Sequence, residues 1–98
     1  MTENLQENKA RAKVKITGIV QGVNYRWQTL RQAQVFGING WVRNMDNGSV
    51  EACFEGEKEE VERMIEWCKI GPSGASVEEV EVEWEKYKSE FRSFSITR

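Results

Sequence analysis

Hydrophobic and polar positions change period several times along the chain, and each change marks an element. From Lys13 to Val20 they alternate, with Val14 and Ile16 on one side and Lys13, Lys15 and Thr17 on the other. That period of two predicts a strand with one buried face. Gly18 and Gly22 bracket a turn, after which Tyr25, Thr29, Ala33 and Phe36 fall on one face of a helix, widened by Leu30 and stopped by Gly37. Ile38–Asn44 and Ser49–Glu55 read as two strands, with Asn47-Gly48 as the hairpin signal between them. On the second of these, Val50, Ala52 and Phe54 share one face, and Glu51, Cys53 and Glu55 share the other.

Lys58–Lys69 predicts a second helix, with Val61, Met64, Ile65 and Cys68 as its apolar stripe and glutamates on its wet side. Gly71-Pro72 ends it. Val80, Val82 and Trp84 then alternate with Glu79, Glu81, Glu83 and Glu85, and Phe94 and Ile96 mark a last short strand. The expected fold class is therefore α+β: a ferredoxin-like α/β sandwich, βαββαβ plus a short C-terminal strand, its antiparallel sheet carrying both helices on one face. In that topology the first strand lies between the third and the fourth. Its outward Lys13 and Lys15 should then stand between Glu51/Glu55 and Glu79/Glu81/Glu83, each opposed pair contributing ~0.2–1 kcal/mol.

The 98 residues suit one domain. It is expected over residues 12–98, with 1–11 as a flexible polar tail. Met1 to Lys9 has no apolar run of the kind a secretory signal needs, and no segment approaches the ~20 apolar residues of a membrane span. Two cysteines, Cys53 and Cys68, are too few for a disulfide framework, and their strand and helix positions point to different layers. These features predict a cytoplasmic protein, expected to be a monomer.

Net charge is −2, unevenly placed. Residues 1–50 carry seven Lys/Arg against three Asp/Glu (+4), and residues 51–98 carry seven against thirteen (−6). The basic half suits a small anionic ligand, whereas the acidic half argues against broad contact with a nucleic-acid backbone. A nucleic-acid module of this topology would also stack bases on aromatics of the open sheet face, where Trp41 alone is expected. The chain holds no histidine, which removes the commonest general base and the commonest transition-metal ligand. The expected chemistry therefore uses neither imidazole nor a bound metal, and no cofactor is implied.

Two segments could carry chemistry. In Gly18-Ile19-Val20-Gln21-Gly22-Val23-Asn24-Tyr25-Arg26, a glycine-containing loop leaves a strand and enters a helix. Unpaired N–H groups at a helix start suit an oxyanion, and Arg26 in the first turn could fork onto two of its oxygens. The same pattern also serves as a plain strand-to-helix connection. In Gly40-Trp41-Val42-Arg43-Asn44, the Asn44 amide can both donate to and accept from a water, or else simply initiate the hairpin turn.

The first segment resembles the acylphosphatase signature G-x-V-Q-G-V-x-F/Y-R. The second resembles the same family's G-W-V-x-N, followed by the Gly48-Ser49-Val50 hairpin, and Gly71-Pro72 with Ala75-Ser76-Val77 resembles its G-P-x-x-A-x-V. The likeness covers about residues 12–98. It implies an enzyme that hydrolyses the carboxyl–phosphate anhydride of a small acyl phosphate. The resemblance assigns Arg26 and Asn44 as catalytic residues, Arg26 binding the phosphate and Asn44 orienting the attacking water. It makes Gln21, Gly22, Val23, Asn24, Tyr25 and Arg26 the phosphate-binding loop, with the substrate's own phosphate oxygen taking the water's proton. An intact Arg26/Asn44 pair argues against a non-catalytic binding domain of the same fold. Trp27, Trp67 and Trp84 are expected to be packing residues.

Overall fold

A computed structural model describes residues 8–98. Seven elements follow in chain order: β1 (Lys9–Ile19), α1 (Tyr25–Phe36), β2 (Asn39–Asn44), β3 (Val50–Glu57), α2 (Lys58–Ile70), β4 (Ser76–Glu85) and β5 (Phe94–Ile96). They form the expected α+β, ferredoxin-like sandwich. The sheet order is β4-β1-β3-β2-β5, which places β1 between β3 and β4. α1 lies over β2 and β5, and α2 lies over β1, β3 and β4.

The core follows the two periodicities read from the chain. Ala12, Val14 and Ile16 of β1 and Val50, Ala52 and Phe54 of β3 are buried beneath Tyr25, Thr29 and Ala33 of α1 and Val61, Met64, Ile65 and Cys68 of α2. Gly37 stops α1 in a left-handed conformation, and the amide of Ile38 returns to the Ala33 carbonyl at 2.8 Å. Burial pushes the Cys68 thiol up to about 12, so at neutral pH it is a small, uncharged packing group.

Three features depart from the sequence reading. β1 begins at Lys9, with Lys9, Ala10 and Arg11 paired to Glu57, Gly56 and Glu55, so the expected tail gives up residues 9–11 to the sheet. The pattern missed them because Ala10 is too small to announce a buried position, although it is buried. Residues 1–7 of the expected tail lie outside the described residues. The first four strands pair antiparallel, but β5 pairs parallel with β2, so the sheet is mixed. That parallel pair is possible because residues 86–93 carry the chain from the β4 edge to the opposite edge. The third departure is at Cys53 and Glu55. Both are outward-facing as expected, yet both are buried.

The 86–93 segment explains the burial of Glu55. Glu55 is 3% exposed and accepts hydrogen bonds from the backbone amides of Lys88 and Glu90, each at 2.9 Å. Arg11 pairs with Glu85, Glu90 and, more distantly, Glu55, and its guanidinium stands 5.2 Å from the centre of the Phe91 ring. The charge check from the sequence holds best at Lys15, which lies between Glu51 and Glu81. Glu51 nevertheless spends its carboxylate on Arg43, at 2.7 Å.

Burial alone would raise the Glu55 carboxyl, but the two amides and Arg11 outweigh it and hold it below the ordinary Glu value. A lowered folded-state value stabilises the protein above the unfolded value of ~4.3, and that stabilisation is lost as pH falls through the folded value. Glu55→Ala is expected to cost about 3 kcal/mol, the scale of breaking a buried ion pair from one side. A urea midpoint series should show this loss at pH 7 and show it shrinking below about pH 4. A loss that is constant down to pH 2 would contradict the linkage.

Candidate active site

The loop between β1 and α1 enters its helix without a side-chain cap. Asn24 occupies the N-cap position in a left-handed conformation (φ 67°, ψ 23°), and its side chain makes no capping bond. Asparagine tolerates that region better than other non-glycine residues. Gly22 also has positive φ, at 76°, and nothing lies within 4 Å of where a Cβ would sit. The backbone there is thus both turned and open to close approach. The first helical hydrogen bond runs from Gln28 to the Asn24 carbonyl. Among the described residues, no acceptor engages the amides of residues 22–27. They make a concave set of donors at the positive end of α1.

Each side chain of the loop has a separate job. Tyr25 points into the core, where its ring meets Trp67 at 5.6 Å and its hydroxyl donates to the Cys68 carbonyl at 2.9 Å. Burial raises this phenol well above its usual range, so it stays protonated. Val23 packs against the core. Gln21 reaches across to the β2–β3 hairpin: its Nε2 donates to the carbonyls of Met45 at 2.8 Å and Ser49 at 2.9 Å. It thereby ties the loop to the β2–β3 hairpin. Arg26 is half-buried, and no described carboxylate pairs with it.

Asn44 is the last residue of β2, paired with Val50. The hairpin beyond it is closed by the Met45 amide on the Ser49 carbonyl at 2.8 Å. The side chain that organises this turn is Asn47, whose Oδ1 accepts from the amide and hydroxyl of Ser49 at 3.1 and 2.6 Å. The hairpin is therefore organised by Asn47, and the Asn44 side chain makes no hydrogen bond within the turn. The Asn44 amide makes no hydrogen bond to a described side chain or backbone group.

Gln21, Gly22, Asn24, Tyr25, Arg26 and Asn44 border one cavity of about 270 Å³, so two segments far apart in sequence meet at one end of the sheet. Val23 lies outside its lining. Val20, Trp27 and Ile96 complete the wall. None of these three was singled out for the site, and Trp27 is not the packing residue expected: half of it is exposed. Its place two residues after Tyr25, about 200° around the helix, is the signal that it leaves the buried face. Ile96 carried no such signal, because its position depends on β5 joining the edge of β2. Among the described residues, no cluster of His, Cys, Asp or Glu side chains is arranged to hold a metal ion.

The acylphosphatase family model matches residues 12–96. An acylphosphatase of Roseiflexus sp. (strain RS-1) is 54% identical over 87 residues, covering 89% of this chain and 94% of that protein. The structure of an acylphosphatase from Coxiella burnetii superposes with a TM-score of 0.88 at 30% identity, covering 93% of this chain and 95% of that one. The acylphosphatase from Bacillus subtilis gives the same TM-score at 28% identity, covering 91% and 99% of the two chains. A match to the family model over most of the chain, at about half identity to a relative of nearly the same length, places this protein in the acylphosphatase family.

Proposed function

We propose that this acylphosphatase binds the phosphate of its substrate with the amides of residues 22–26 and the Arg26 guanidinium, while Asn44 holds the attacking water. The observation that carries this reading is the composition of the cavity wall. Among the described residues that line it there is no Asp, Glu, His or Cys. Tyr25 contributes no base, because its hydroxyl is buried and donates to a carbonyl elsewhere. The groups available are neutral or cationic: backbone amides, the Arg26 guanidinium, and the carboxamides of Asn24 and Asn44, with Gln21 Nε2 already bonded to the hairpin.

Such a wall suits an anhydride. The water oxygen bonds to phosphorus as the phosphorus–oxygen bond to the acyl group breaks. A phosphate oxygen of the substrate takes the water's proton, and the carboxylate leaves with the electrons of the broken bond. A carboxylate needs little help in leaving, whereas an alcohol would need an acid that this wall lacks. What remains for the protein is to hold the reactants in line and to stabilise charge on the equatorial oxygens. Gln21, bonded to both ends of the hairpin turn, ties the amide cradle to the strand that carries Asn44.

Phosphate release from benzoyl phosphate, beside that from a phosphate monoester, tests the reading. The anhydride should be hydrolysed and the ester should not, and a metal chelator should leave the rate unchanged. Hydrolysis of both compounds, or loss of the rate with chelator, would mean that some other group supplies the missing acid or charge. A cytoplasmic monomer remains part of the proposal and rests on the sequence: two cysteines, too few for a disulfide framework, and a high content of charged residues. Among the described residues no helix is long and apolar enough to cross a membrane.

A further inference from the structure

An acyl phosphate has two halves, and the donors described above account for the phosphate alone. Beside the buried core residue Val20, two exposed apolar side chains border the same cavity: Trp27 from the first turn of α1 and Ile96 from β5. Trp27 is 50% exposed and Ile96 is 37% exposed. Neither belongs to the hydrophobic core or to the partly buried residues packed against it. A single exposed apolar residue is ordinary. Two of them, brought from separate elements to one cavity, form a local exposed apolar surface that the core does not use.

The backbone explains how each arrives there. Trp27 lies two residues after Tyr25, about 200° around the helix from that core residue, and borders the cavity that Arg26 also borders. Ile96 shares a strand face with Phe94, whose ring lies 5.9 Å from Phe54 in the core. It pairs with Val42, two residues before Asn44, at the end of the sheet where the cavity opens.

We infer that Trp27 and Ile96 form an apolar seat for the acyl group and are the side chains that set how far the enzyme distinguishes an aromatic acyl phosphate from acetyl phosphate. The inference rests on the phosphate-cradle reading, because that reading is what turns the acyl half toward the indole. A benzoyl ring offers a flat apolar face to Trp27, and an acetyl group offers one methyl.

The test is the ratio of kcat/KM for benzoyl phosphate to that for acetyl phosphate, taken relative to the unsubstituted enzyme so that intrinsic reactivity cancels. In Trp27→Ala this ratio should fall roughly three- to tenfold, the range of an aromatic contact, chiefly through KM for benzoyl phosphate. Ile96→Ala should move it in the same direction. Trp27→Phe should retain the ratio, and inhibition by inorganic phosphate should be unaltered in all three variants. Val35→Ala, an exposed position of α1 away from the cavity, should leave the ratio as it is. A ratio unchanged in both Trp27→Ala and Ile96→Ala would overturn the inference. So would phosphate inhibition that weakens in step with benzoyl phosphate turnover, since Trp27 would then serve the phosphate cradle. Failure of the underlying reading looks different: the unsubstituted enzyme would hydrolyse neither compound, or Arg26→Ala would hydrolyse both normally.

Discussion

Arg26→Ala is expected to lower kcat/KM for benzoyl phosphate by ~10³-fold or more, the scale on which an arginine stabilises a transferring phosphoryl group. The side chain stands in the first turn of a helix, where the amides of residues 22–27 have no acceptor among the described residues, and it has no carboxylate partner among them. Its charge is therefore uncompensated inside the protein and available to a bound anion. Two consequences separate this from a folding defect. The urea midpoint should hardly move, because no described ion pair is lost with the side chain. Inhibition by inorganic phosphate should weaken along with turnover, because the same guanidinium would hold the product. Arg26→Lys should recover only part of the rate, since an ammonium keeps the charge but cannot fork onto two oxygens. Near-normal turnover in Arg26→Ala would remove the clamp from the mechanism.

Asn44→Ala should reduce kcat by ~10²-fold or more while leaving phosphate inhibition nearly intact. Asn44 ends β2 at the cavity, and Asn47 holds the turn that follows, so the substitution removes a positioned amide without removing the element that carries it. The loss should fall on kcat, because a water is held for the chemical step whereas the phosphate is held elsewhere. Asn44→Asp places a negative charge beside the phosphate and should be no better than alanine. A normal kcat in Asn44→Ala, or a loss confined to KM, would mean that the water is positioned by another group.

Much of this arrangement was legible along the chain. Alternation in β1 and β3 and the 3.6-residue spacing in α1 and α2 placed the core, because burial of one face leaves a period that a sequence shows directly. The cradle was visible as glycine-bearing loop chemistry entering a helix, but only as one reading among others. Asn44 was ambiguous for the same reason: a residue type states what a side chain can bond, not which of two asparagines organises a turn. The structure gives that role to Asn47 and leaves the Asn44 amide at the cavity. Glu55 shows the limit from the other direction. Its alternation marked it as outward and wet, yet residues 86–93 cross that end of the sheet and bury it against two backbone amides.

Local pattern along the chain thus specified the elements, their buried faces and the residue types of a donor-rich site. Those properties arise from neighbours within a few positions, where side-chain periodicity and backbone propensity act. The meeting of Arg26 with Asn44, the two bonds from Gln21 to the hairpin, and the arrival of Trp27 and Ile96 at the same cavity followed from the packing of distant elements. Each depends on strand order and on which strand joins an edge. Such contacts between residues far apart in sequence arise when apolar faces are buried together, and no spacing along the chain encodes them one at a time.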